Sequence, residues 1–314
     1  MGLVFGLGFD PPQLHQFLYS QILMDKIMKR FIFLAVLAEA FIIYASVLVK
    51  IVDLSPILVG FYRISLALPI FALLANTKLL KVRKKDMLLM LGAGGFFGFD
   101  LVFFNLAIHK TSIANVNLFA SLVVFILVPI GAIFFKEKIR LDFVLGSLVS
   151  LAGVFLLIKG RGGESVATPL GDFLAFLSMS CYGIFLSLVY GLRKRYDTLT
   201  LMSFASLGSI LILLSIGIPM EGFTLPKDWH TWGILIAISL FGQILGQGCF
   251  GYIMGKLTTQ VSSLILLFTP ALAGLMGYFI LGEKLGIYEI IGMIIIVLGV
   301  YIAKMRKEKK SQKN

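Results

Sequence analysis

The sequence predicts an all-α polytopic membrane protein of ten transmembrane helices, arranged as a 5+5 inverted repeat. Three observations predict it. Hydrophobic residues make up 59% of the 314 and charged residues 14%, with a mean hydropathy of +0.97. A soluble domain carries about 25% charged residues, so there are too few polar side chains here to cover a water-exposed globule. Ten apolar stretches are each long enough to cross a bilayer, which takes about 20 residues. Finally, residues 110–157 return 146 positions later as 256–303: Lys110 pairs with Lys256, Glu137 with Glu283, Lys138 with Lys284, Gly146 with Gly292 and Gly153 with Gly299. Five spans per unit is an odd number, so the second unit must lie upside down relative to the first.

The apolar stretches fall near 30–49, 56–75, 87–108, 115–135, 141–158, 171–190, 199–219, 231–253, 260–281 and 286–303. The joining loops are short, so no soluble domain is inserted. Residues 1–29 form an N-terminal extension, with a Pro-Pro pair and no sustained helical period, expected to be disordered or interfacial. Residues 30–158 form the first five-helix repeat, 159–170 a Gly-rich linker loop, 171–303 the second repeat and 304–314 a basic cytoplasmic tail.

The net charge of +12 is distributed by side rather than gathered into a nucleic-acid footprint. With the N-terminus in the cytoplasm, 21 Lys and Arg residues fall on the cytoplasmic side and 6 on the other, and Arg63 lies within a span. That asymmetry follows the positive-inside rule. It places both termini in the cytoplasm of a multi-pass protein of the cell membrane. Cys181 and Cys249 both lie in apolar runs and read as packing residues.

Inverted repeats are typical of secondary transporters. Several local patterns resemble the EamA family of the drug/metabolite transporter superfamily over about residues 30–303. Gly171-Asp172, followed by Phe173-Leu174-Ala175-Phe176-Leu177-Ser178, opens a span as the sixth helix of that family opens. Pro270 followed by Glu283-Lys284 is similar to its ninth helix and the turn into the tenth. Gly292 and Gly299 match glycines of its last helix, and Tyr62-Arg63 resembles the Arg-aromatic signature of its second. The first copy has Val124 where the second has Pro270, and its own proline, Pro129, comes five residues later. The resemblance implies a 5+5 inverted fold that moves small metabolites, often outward.

Charged side chains at mid-bilayer cost about 2.5–3.5 kcal/mol on insertion scales, so each needs a reason. Glu39 in span 1, Arg63 in span 2 and Asp100 in span 3 are the candidates for substrate binding or coupling. Glu39 or Asp100 could titrate as a proton-coupling group, and Arg63 could hold a carboxylate. The plainer alternative is a buried ion pair that fixes helix packing. Gln243 and Gln247 share a face of span 8 at i, i+4 spacing. With Asn115 and Asn117 at the start of span 4 and Tyr182 in span 6, they could offer mixed donors and acceptors to a polar substrate. Each could equally make an ordinary interhelical hydrogen bond. Glu137 and Glu283 read as matched turn or cap residues of the two repeats. Pro129 and Pro270 are hinge candidates, and Gly94/Gly98, Gly242/Gly246 and Gly251/Gly255 are small-xxx-small pairs for close helix contact.

No phosphate-binding loop, metal-spaced His/Cys/carboxylate cluster or Ser/His/Asp set is legible, so neither a cofactor nor a metal is expected and an enzyme is disfavoured. The expected function is a secondary transporter of a small polar or amphipathic, amino-acid-like metabolite, working as an exporter by alternating access. The alternative is a channel or lipid-translocating protein. The expected partners are a small-molecule substrate and the lipid bilayer, with proton coupling and the choice of monomer or homodimer left open.

Overall fold

A computed structural model describes residues 11–111, 113–160, 168–281 and 285–305, which are helical almost throughout and contain no strand. Nine helical stretches among them are long and apolar enough to cross a membrane, and Ile287–Ala303 forms a shorter apolar helix. The protein is a ten-helix membrane protein.

Span 1 belongs to α1 (Pro11–Ile51), whose membrane-crossing portion is Met28–Val49. Of the N-terminal extension, residues 11–29 are helical and continue the helix of span 1. Proline is well suited to the first turn, where its missing N–H has no intrahelical partner to lose. From Gln13 to Ile51 no Gly or Pro interrupts the chain. Residues 1–10 lie outside the described residues.

Span 2 is α2 (Pro56–Ala75), again opened by a proline and ended at Asn76, which takes the left-handed φ of 51°. Span 3 is α3 (Lys84–Ile108). Span 4 is split into α4 (Ile113–Ser121) and α5 (Val124–Phe135), and span 5 is α6 (Leu141–Gly160). In the second half α7 (Pro169–Leu192) is capped by the Thr168 hydroxyl, which accepts from Gly171 N at 3.1 Å. Next, α8 (Thr198–Glu221) is capped by Asp197. Span 8 has three parts: α9 (Trp229–Ala237), a π-helical segment (Ile238–Gly248) and α10 (Cys249–Met254). Span 9 is split into α11 (Thr259–Leu267) and α12 (Thr269–Leu281), and α13 (Ile287–Met305) closes the chain.

The two split spans break at matching places. Leu122–Val123 separates α4 from α5 and Phe268 separates α11 from α12, and Leu122 lies 146 positions before Phe268. Pro270 is the second residue of α12, so the span 9 break falls where a proline denies the incoming helix its next hydrogen bond. Span 4 is interrupted elsewhere than at its proline. Pro129 lies inside α5, and the break comes earlier, where Val123 and Ile126 press on Gly183 of α7 and the backbone tightens through Leu122 N to Phe119 O at 2.9 Å. Packing at this position, rather than the proline, marks the interruption.

Glycines set the closest helix contacts, as close backbone approach in a membrane requires. A Cβ on Gly98 would meet Ser209 Cα of α8 at 3.1 Å, and Ser209 donates to Gly94 O at 2.7 Å. Gly246 rests on Ile42 and Ala38 of α1, and Gly251 on Met202 of α8. The central core is apolar and aromatic, with Phe71, Phe185 and Phe250 fully buried.

Candidate functional site

Three ionisable side chains are buried at the centre of the described bundle: Glu39 is 4% exposed, Arg63 5% and Asp100 7%. Each sits on a different helix of the first half, and each is held by one neutral group of the second half. The Thr269 hydroxyl, at the break of span 9, donates to Glu39 Oε1 at 2.8 Å. Arg63 Nη2 donates to the Gly242 carbonyl of the π-helical segment at 3.1 Å. The Ser178 hydroxyl of α7 donates to Asp100 Oδ1 at 2.6 Å. No carboxylate lies within 4.0 Å of Arg63 among the described residues, and Asp100 interacts with it electrostatically from beyond that distance.

These groups keep unused capacity. Glu39 Oε2, Arg63 Nε, Gln243 Oε1, Gln247 Nε2 and Ser239 Oγ are buried without a protein hydrogen-bond partner. Unpaired buried polar atoms are costly, and two of these belong to the buried charges Glu39 and Arg63 themselves. Tyr182 ties the set together: its hydroxyl donates to Gln247 Oε1 at 3.3 Å, and it lies within electrostatic range of Glu39, Asp100 and Arg63. Aromatic rings pack beside the charges. The Arg63 guanidinium stands 5.9 Å from the centroid of Phe97, which stacks on Phe185 at 4.6 Å. Phe241 meets Phe41 and Tyr44 on the α1 side.

The local backbone explains this placement. The π-helical segment carries Gly242, Gly246 and Gly248 within 11 residues. Each glycine weakens an α-helix by about 1 kcal/mol relative to alanine, and π-helical turns occur often at functional sites. Gly242 also lets the guanidinium approach the chain, since a Cβ there would sit 3.3 Å from Arg63 Cζ and 2.7 Å from Ala45 Cβ.

The structure therefore brings Glu39, Arg63, Asp100, Tyr182 and Gln247 into one cluster, while Gln243 is buried next to Gly242 on the same π-helical segment. Asn115 and Asn117 lie in the first turns of α4, and their side chains fall outside the described residues, as does Glu283. Asn105 serves the scaffold, donating to Pro56 O at 2.7 Å. Glu137 lies apart from the cluster. It accepts from Thr259 N at 3.2 Å and from the Thr259 hydroxyl at 2.5 Å, and also from the Tyr190 hydroxyl. It thus joins the end of span 4 to the end of span 6 and the start of span 9 at one end of the bundle. Thr269 was not singled out by the sequence reading; the signal was its place directly before the proline of an interrupted span. Among the described residues no group of three or more His, Cys, Asp or Glu could hold a metal.

The model of the EamA-like transporter family matches residues 29–159 and 169–305. An uncharacterized transporter of Archaeoglobus fulgidus is 26% identical over 284 residues, covering 89% of this chain and all of that protein. A probable amino-acid metabolite efflux pump of Salmonella typhimurium is 25% identical over 187 residues, 57% of this chain and 62% of the relative. A protein of known crystal structure, 18% identical, shares the fold with a TM-score of 0.71 over 89% of this chain and 97% of that one.

Proposed function

The chain belongs to the EamA-like transporter family, and from that premise we propose that it exports a small polar or amphipathic, amino-acid-like metabolite by alternating access. One observation carries this reading: the charges come from the first half, their partners are neutral groups of the second, and Glu39 and Arg63 each keep a free hydrogen-bonding atom. A zwitterion offers an anionic group to Arg63 and a cationic group to Glu39 or Asp100. Single hydrogen bonds to neutral partners can be exchanged for a substrate at lower cost than a buried ion pair can be broken.

Alternating access rests on the inverted repeat read in the sequence, which would set the cluster between two oppositely oriented halves. The outward direction draws on the efflux names of two relatives, in Salmonella typhimurium and Escherichia coli. Glu39 and Asp100 are the groups through which a proton would be coupled. The cytoplasmic membrane, with both termini inside, is the location that the charge asymmetry favours.

A thermal-shift screen of the purified protein against amino acids and related metabolites tests this. Ligands that bind only the folded state raise the melting temperature by mass action. Amino-acid-like compounds should stabilise the wild type and leave Arg63→Gln unshifted. A library in which only apolar lipids or cations stabilise the protein, equally in both forms, would contradict the proposal.

A further inference from the structure

We propose that Thr269 is the positioning residue of the polar cluster: its hydroxyl, presented at the interruption of span 9, orients Glu39 and tethers the two halves so that the cluster is closed while the bond is made.

A threonine inside a continuous helix usually turns its hydroxyl back to the carbonyl four residues earlier. For Thr269 that is Ile265 O, which here accepts from Phe268 N at 3.0 Å as the chain tightens before Pro270. The Thr269 hydroxyl instead crosses to Glu39 Oε1, 230 residues away in sequence, and Thr269 itself is 7% exposed. Because Thr269 is the first residue of α12, the carboxylate is brought to the N-terminal end of a 13-residue helix, where backbone N–H groups favour negative charge. Glu39 Oε2, buried and without a protein partner, is the second sign that this end of α12 serves a ligand or a moving contact.

The tether has no mirror in the first half. The residue 146 positions before Thr269 is Val123, which has no hydroxyl. Both halves are interrupted at the same place, but the residue equivalent to Thr269 has no hydroxyl to present there. Movement of α12 about its break therefore carries the Glu39 contact with it, while movement about the α4–α5 break does not.

The consequence for transport rests on the proposed function, but the test uses no substrate, so the two can fail separately. With Cys181→Ser and Cys249→Ser, no native thiol remains. Gln247→Cys, present in the parent and in every variant compared, then supplies a reporter beside Tyr182 at a position 1% exposed. Its reaction with a small hydrophilic maleimide, in reconstituted full-length protein, reads how often the cluster opens. Thr269→Val should speed labelling about tenfold, the change expected when a hydrogen bond to a charged group is lost. Thr269→Ser should restore the parent rate, since serine supplies the same hydroxyl. Glu39→Ala should label as fast as Thr269→Val, and the double variant no faster than either, because both remove one bond. Labelling of Thr269→Val at the parent rate, or of Thr269→Ser as fast as Thr269→Val, would overturn the proposal. If Thr269→Val does not assemble, Glu39→Ala reads the same bond from the other side, and a parent rate there overturns it equally.

Discussion

Gly146 lies directly against Gly299 where α6 crosses α13, and a Cβ on Gly299 would come within 2.6 Å of the Gly146 carbonyl. One helical stretch further on, Gly153 faces Gly292 at 2.7 Å in both directions, and between the two pairs Ser150 donates to Ile296 O at 3.2 Å. Gly146 also meets Ala303, while Gly292 meets Leu157, and all of these pairings are preserved when one member is shifted forward by 146 and the other back. The crossing thus maps onto itself when the two copies of the sequence repeat are exchanged. Gly146→Val and Gly292→Val should therefore lower stability by similar amounts, about 1–3 kcal/mol each as overpacking usually does. Thermal unfolding in detergent measures it; a loss confined to one of the two would break the equivalence.

Glu137 joins α5, α7 and α11 through Thr259 and the Tyr190 hydroxyl. Removing one partner leaves the other unsatisfied, which costs about 1–3 kcal/mol. Glu137→Ala and Thr259→Val should each destabilise the protein, and the double variant should lose less than the sum. The coupling in such a cycle should reach about 0.5–3 kcal/mol for groups in direct contact. Simple additivity in thermal unfolding would mean that the contact contributes nothing.

Gly242→Ala places a methyl group 2.7 Å from Ala45 Cβ and 3.3 Å from Arg63 Cζ. The π-helical segment then has to move away from α1 and from the guanidinium. The melting temperature should fall by an amount corresponding to about 1–3 kcal/mol, and Ala45→Gly should recover part of it. No recovery would indicate that the Arg63 contact, not Ala45, dominates the clash.

Asp228 caps α9, accepting from Thr231 N at 2.7 Å and the Thr231 hydroxyl at 3.0 Å. These bonds, the backbone N–H first, hold its carboxyl below the ordinary aspartate value of 3.8. A depressed native value means that the cap's contribution is complete above pH 3.8 and is lost as pH falls through the lower native value. The two tryptophans of the chain, Trp229 and Trp232, both lie at this helix start. Their emission should stay constant down to the ordinary aspartate range and change below it, and Asp228→Ala should remove that acid transition. An unchanged transition in the variant would assign it elsewhere.

Most of the architecture was legible because a bilayer allows few solutions. A span must satisfy its own backbone groups, so apolar length alone located all ten helices to within a few residues. Glu39, Arg63 and Asp100 were legible for the same reason: charge is rare in these stretches and buried charge needs a use. Their partners were not legible, because Thr269, Ser178 and the Gly242 carbonyl are ordinary groups whose role depends on which helices meet. Linear spacing cannot state that α1 meets the break of span 9. The span 4 break was not legible, because it falls at Leu122–Val123 beside the contact with Gly183 of α7, where no residue breaks a helix by itself. The helical run from Pro11 was missed because its polar first turns lack an apolar period, although nothing after Pro12 interrupts a helix.

Flux through proteoliposomes containing the wild type or Arg63→Gln is the most direct measurement of the central claim. The account predicts that release of trapped, radiolabelled amino acids by the wild type saturates with internal concentration, accelerates when unlabelled amino acid is present outside, and falls at least tenfold in Arg63→Gln, consistent with loss of a charge-assisted contact. Flux that rises linearly without saturation, or that is the same in both proteins, would contradict it.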